Sequence, residues 1–201
     1  MLRVPPATGW LIAINVAVHI ARLFLAPDQD DVVTSWLAFD PASLHGPIGW
    51  LPIVSLVTYQ FLHGSWAHLG INMVTLLAFG PGVERPIGWM RFLAIYFLSG
   101  IAGALVEAVF TPPESGDLLV GASAAISGVF GALLVIWGVY RRGARPMGLV
   151  PMTLLWIGLM AVTGITGIGA QGVPVAWIAH IGGFLAGMVL GGLFRPRIRL
   201  P

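Results

Sequence analysis

The stretch Gly121-Ala-Ser-Ala-Ala-Ile-Ser-Gly-Val-Phe-Gly131, which runs on into apolar residues as far as Tyr140, decides how this chain is read. Small residues at its head let a second helix approach closely, and a hydroxyl among them wants a partner if the surroundings are lipid. A lone serine in such a helix commonly bonds back to its own backbone. The other reading of Ser123, a nucleophile, requires a base from elsewhere in the chain.

Composition sets the surroundings. Of 201 residues, 57% are hydrophobic and 9% are charged, whereas soluble domains carry about 25% charged residues. Several apolar runs approach the roughly 20 residues that cross a bilayer. The expectation is an all-α membrane protein of six transmembrane helices, folded as a single domain over residues 1–201, with no sizeable soluble part. Absence of cysteine excludes disulfides, thiolate catalysis and zinc–sulfur sites.

The spans are read as Gly9–Ala26, Ser65–Gly80, Met90–Phe110, Leu119–Tyr140, Met147–Val162 and Ala176–Phe194. Arg22 is expected to snorkel at the far end of the first. Pro27–Pro52 is polar to amphipathic. Ile53–Leu62 is apolar but too short to span, so an interfacial or re-entrant segment is expected. Pro81 is expected to end the second span, with a tight turn over Glu84-Arg-Pro-Ile-Gly88. The basic loop of Arg141, Arg142 and Arg145, the Gly-rich Thr163–Val175 and the Arg-rich tail complete the chain.

All cationic side chains except histidine are arginines. On a six-span plan every one but Arg22 falls on the same side, which the positive-inside rule makes cytoplasmic, with both termini. The arginines therefore set orientation, and no nucleic-acid partner is implied. The short chain points to a bacterial plasma membrane.

Spans two, four and six run in the same direction, and each has polar residues near its outer entrance: His68 and Asn72, Ser123, and His180. On the expected helix Ser123 lies about 6 Å below its start. Ionisable groups inside a membrane are costly and are first suspected of function. His68 and Asn72, four apart, share a helix face. Gly183, Gly187 and Gly191 form a row without side chains, and span four offers Ala124, Gly128 and Gly131. Contact between these rows would carry an imidazole towards a serine hydroxyl. No third acidic member is evident. His19, His45 and His63 read as structural, Ser127 as a back-bonding serine, and Glu107 as a partner for the first loop.

Taken together, His63-x4-His68-x3-Asn72, Gly121-Ala-Ser123 and Ala179-His180-x-x-Gly183-Phe184, with Gly82-Val-Glu84 after span two, resemble the rhomboid intramembrane serine proteases. The match runs over nearly all six spans. The resemblance implies a rhomboid-like bundle with a partly embedded first loop. Ser123 would be the nucleophile and His180 the general base and then acid. His68, Asn72 and the Ser123 N–H would stabilise the oxyanion. The fifth span and the loop after it would form a mobile gate and cap. Partners would be lipid and transmembrane protein substrates entering laterally from the bilayer. No cofactor and no metal are implied. Ala124 replaces a frequent glycine, Ser127 replaces a frequent aromatic, and Trp36 is followed by Leu37 rather than arginine. Two alternatives remain: an inactive membrane-protein binder, and a small transporter. The transporter would need a polar path to the inner side, where the even-numbered spans are apolar.

Overall fold

The computed structural model describes residues 4–46, 49–140, 149–166 and 176–194. Among these the chain is helical. The elements are α1 (Pro6–Arg22), α2 (Pro27–Leu37), α3 (Trp50–Thr58), α4 (Trp66–Ile87), α5 (Trp89–Phe110), α6 (Ser123–Tyr140), α7 (Leu149–Thr166) and α8 (Trp177–Phe194). Short 3-10 turns cover Pro41–His45 and Tyr59–Phe61. By length and composition, α5 and α8 are apolar enough to cross a membrane; α6 and the Trp50–Phe61 segment are shorter apolar helices.

Helix α1 starts at Pro6, where the missing N–H is harmless. Its buried residues Ala7, Leu11, Asn15 and His19 recur every fourth position, so one face turns inward onto α4 and α5. Glu84 of α4 closes the start of α1. Its carboxylate accepts from the backbone N–H groups of Ala7 at 2.9 Å and Thr8 at 2.8 Å, and from the Thr8 hydroxyl at 2.8 Å. A carboxylate on unpaired N-terminal amides is favoured by both hydrogen bonding and the helix dipole.

That cap explains a departure from the expected turn. Helix α4 does not stop at Pro81 but continues through Pro81 and Pro86 to Ile87. The extra turns carry Glu84 inward to the start of α1. Proline inside a helix removes one donor, which packed neighbours can tolerate. The turn into α5 narrows to Gly88, whose φ of 84° suits glycine.

Helix α6 packs on α8 more extensively than any other described pair of elements. A Cβ built on Gly183 would lie 2.9 Å from the Ala124 carbonyl carbon. A Cβ on Gly187 would overlap the Gly128 carbonyl, and one on Gly191 would reach Ala132 at 2.7 Å. The expected glycine row is therefore the contact face, with Ala132 as its third counterpart; Gly131 lies instead against Phe184 and Met188. Flush backbones of this kind maximise dispersion contact.

The first loop is stitched to the approach to α6. Phe39 and Leu119 exchange backbone hydrogen bonds of 3.1 and 2.8 Å, and Gly121 N–H donates to the Tyr59 carbonyl at 2.9 Å. This pairing corrects the expected start of span four. Residues from Leu119 to Ala122 are not helical, and Ser123 is the first residue of α6. Phe39, Tyr59, Ala104, Leu119, Ala124 and Ala179 form a buried cluster at this end of the bundle.

The basic loop, the Arg-rich tail, Arg3 and most of the Gly-rich loop lie outside the described residues.

Candidate active site

The geometry around Ser123 begins with Gly121, whose φ is 115°. This left-handed conformation turns the chain sharply into α6 and favours a residue without Cβ. A side chain there would also push the His68 ring aside. A Cβ at Gly121 would come within 2.8 Å of His68 Cε1 and Nε2 and 3.8 Å of Asn72 Nδ2. The His68 ring and the Asn72 amide thus converge on the backbone two residues ahead of Ser123.

Their placement follows from α4. The Ser65 hydroxyl accepts from the His68 N–H at 3.1 Å and so caps the helix. His68 consequently lies in the first turn, and Asn72 follows one turn later on the same face. Asn72 is 5% exposed, and its Nδ2 has no hydrogen-bond partner among the described residues. Buried donors are rarely left so.

On the other side stands α8. Ala179 and Ala124 both press on Gly103 of α5, whose added Cβ would be 2.5 Å from the Ala179 carbonyl and 2.9 Å from the Ala124 methyl. The neighbours of His180 and Ser123 in sequence therefore meet at one point. His180 is buried, and its Nδ1 lacks a partner among the described residues. Ser123 is part-exposed. The Ser127 hydroxyl donates back to the Ser123 carbonyl at 2.8 Å, as expected of a back-bonding serine.

Two side chains behave differently from the sequence reading. Arg22 does not snorkel outward. Its guanidinium forks onto Asp30 at 2.7 and 2.9 Å and donates to the Thr34 hydroxyl at 2.9 Å and the His63 carbonyl at 3.1 Å. That clasp ties α1, α2 and the segment before α4, and the hydrogen bond from Arg22 holds the Asp30 carboxyl below its ordinary value of 3.8. The buried His63 ring packs edge-on against His68, with centroids 5.0 Å apart. Glu107 also differs. Its carboxylate reaches the Ala179 N–H on α8 at 2.7 Å, not the first loop. Hydropathy and spacing gave no signal for either partner: Asp30 lies eight residues from Arg22 across the turn between α1 and α2, and Ala179 lies on a different helix from Glu107. His45 meets the Thr111 carbonyl at 3.0 Å, and His19 packs edge-on against Trp66.

An apolar cavity of about 530 Å³ opens between α1 and α5, lined in part by Trp10, Ile14, Phe61, Trp89 and Phe97. None of the candidate residues borders it.

Comparison with known proteins gives the family of the chain. The Rhomboid domain family model matches residues 52–197. The chain is 35% identical over 148 residues to RHOMBOID-like protein 5 of Arabidopsis thaliana, covering 71% of this chain and 45% of that protein. It is 38% identical over 140 residues to Rhomboid protease GluP of Bacillus subtilis, covering 68% of this chain and 26% of that protein. It is 31% identical over 132 residues to Rhomboid-type serine protease 2 of Emericella nidulans, covering 66% and 25%. The chain spans less than half the length of these three relatives. The matched region holds His68, Asn72, Ser123 and His180 together, and on that match the chain belongs to the rhomboid family.

Proposed function

We propose that this protein is an intramembrane serine protease that cuts other membrane proteins in or near their transmembrane segments. Helices α1, α4, α5, α6, α7 and α8 are its six spans, both termini are cytoplasmic, and the first loop lies partly in the outer leaflet. Ser123 Oγ attacks the substrate carbonyl carbon while His180 takes its proton. The imidazolium then delivers that proton to the leaving amine as the C–N bond breaks. Water, deprotonated by the same ring, releases the acyl group from Ser123.

The tetrahedral intermediate places negative charge on the former carbonyl oxygen. Asn72 Nδ2, the His68 ring and the Ser123 N–H are its donors. Fixed donors aimed at developing charge act most strongly where water is scarce. A substrate helix hides its carbonyls in its own hydrogen bonds, so it must unwind locally before attack. Lateral entry between α4 and α7 lets it arrive from the bilayer.

One observation carries this reading: a part-exposed serine at the head of α6 follows a left-handed glycine over which His68 and an amide donor unpartnered among the described residues converge. A purely structural serine needs none of these groups. The names of two relatives, a rhomboid protease and a rhomboid-type serine protease, point the same way.

A fluorophosphonate probe tests it. Folded protein is expected to label, and labelling is expected to vanish in Ser123→Ala and His180→Ala. Folded wild-type protein that never labels and never cleaves a reconstituted single-span substrate sinks the proposal in favour of a binder that holds clients without cutting them.

A further inference from the structure

The catalytic cycle above makes no use of Glu107, yet its side chain reaches the immediate neighbour of His180. Glu107 stands in the last turn of α5, and its Oε2 accepts from the Ala179 N–H at 2.7 Å. Ala179 is the third residue of α8. The opening N–H groups of a helix have no partner within the helix. An acidic oxygen there satisfies one of them and complements the positive end of the dipole. Helix α8 is thus capped by a side chain from another helix, one residue before the candidate base.

Three features give this cap work beyond stabilising a helix. First, the His180 ring has no tether of its own at Nδ1 among the described residues. The backbone group the ring faces is the Ala176 carbonyl at the head of the same helix, so the ring's position follows the first turn of α8. Second, the bond from the His180 N–H to the Ala176 carbonyl is long, at 3.4 Å. The first turn of α8 is held more tightly by Glu107 than by that internal bond. Third, no aromatic supports the ring from one turn after Ser123, because Ser127 stands there and turns its hydroxyl back to the Ser123 carbonyl.

Packing does not replace the cap. Contacts of Ala179 and Ala124 with Gly103 set how near the helices lie, but apolar contact is non-directional. A hydrogen bond fixes rotation and height. Glu107 is itself braced, since its carbonyl accepts from the Thr111 N–H at 3.0 Å and the Thr111 hydroxyl at 2.9 Å. The Thr111 carbonyl in turn meets His45 Nε2 of the first loop at 3.0 Å.

We infer that Glu107 is a positioning residue for His180, its carboxylate setting the rotation of the first turn of α8 and thereby presenting the imidazole to Ser123. The inference rests on the protease reading above. A displacement of about 1 Å at a reacting group can cost about a hundredfold in rate, so the cap is expected to act on turnover more than on substrate affinity.

The test uses the full chain and two readouts on wild type, Glu107→Gln, Glu107→Asp and Glu107→Leu. One is backbone hydrogen exchange in the first turn of α8. The other is the rate of Ser123 labelling by a fluorophosphonate, supported by kcat and KM on a single-span substrate. Leucine is expected to speed exchange at Ala179 and His180 and to slow labelling by at least about tenfold with KM held. Glutamine, which keeps an oxygen acceptor, restores most of both. Aspartate retains the charge but is one methylene shorter; it is expected to slow labelling in folded protein, which keeps the test valid if the leucine variant fails to fold. Unchanged labelling in both the aspartate and leucine variants overturns the inference, as does slowed labelling without faster exchange. Wild type that does not label overturns the protease reading instead, and exchange alone then decides whether Glu107 caps α8.

Discussion

Gly187 of α8 lies against Gly128 of α6 with no side chain between them, so that a Cβ at Gly187 would overlap the Gly128 carbonyl. One turn nearer the helix starts, Gly183 meets Ala124 in the same way. The distance between α6 and α8 is therefore set by backbone contact. Gly187→Val is expected to separate the helices or unfold the bundle, since overpacking costs about 1–3 kcal/mol even where the obstacle is soft, and here it is backbone. Gly138→Ala is the control: nothing lies within 4 Å of its Cβ, and alanine is the better helix former. Thermal unfolding in detergent should fall sharply for the first and hold or rise for the second.

Glu84 satisfies three donors at the start of α1 from a site that is 3% exposed. Truncation in Glu84→Ala leaves buried N–H groups without an acceptor. Hydrogen bonds to a charged group are worth about 1.5–3 kcal/mol each, and orphaned donors add a desolvation cost. A loss of at least about 3 kcal/mol is expected, with Glu84→Gln intermediate because it keeps one oxygen. Equal stability of wild type and Glu84→Ala in a denaturant titration would contradict this role.

The contrast between these two contacts explains what was legible in the sequence. The glycine row at Gly183, Gly187 and Gly191 is periodic, so its packing face could be read directly, and the polar residues at one end of spans two, four and six marked the candidate site. Three things could not be read this way. The length of α4 past Pro81 depends on Glu84 finding α1, a contact across more than seventy residues. The start of α6 is delayed to Ser123 because Leu119 pairs with Phe39, a partner in the first loop. Arg22 looked like a snorkelling terminus because Asp30, Thr34 and the His63 carbonyl only converge on it after folding. Local pattern reports faces; it does not report which distant group completes a cap or a clasp.

The Arg22–Asp30 clasp gives a pH dependence with a definite sign. The hydrogen bond from Arg22 lowers the folded-state pKa of Asp30 below 3.8. Its stabilisation is therefore fully present above 3.8 and is lost as pH falls through the lower, folded value. Asp30→Asn removes the contribution at neutral pH. Wild type is expected to unfold at a higher temperature than Asp30→Asn at pH 7, with the gap closing in strong acid. A gap that stays constant between pH 7 and pH 2 would show that Asp30 acts through something other than its charge.

Asn72 separates a functional amide from a structural one. A buried side chain that holds helices together leaves a partner orphaned when removed, and stability falls. Asn72 Nδ2 has no partner among the described residues, so Asn72→Ala should cost the fold little and relieve an unsatisfied donor. If that amide meets the oxyanion, its removal is felt only in the transition state, and one such donor is worth about 2.7–4 kcal/mol, or about 10²–10³ in kcat. The expected signature is opposed: melting temperature held or raised, kcat reduced, KM little changed. Residual activity should persist, because His68 and the Ser123 N–H remain. A variant that loses stability and turnover in proportion would instead make Asn72 a strut between α4 and the approach to α6, and the oxyanion assignment would fall while Ser123 and His180 could stand.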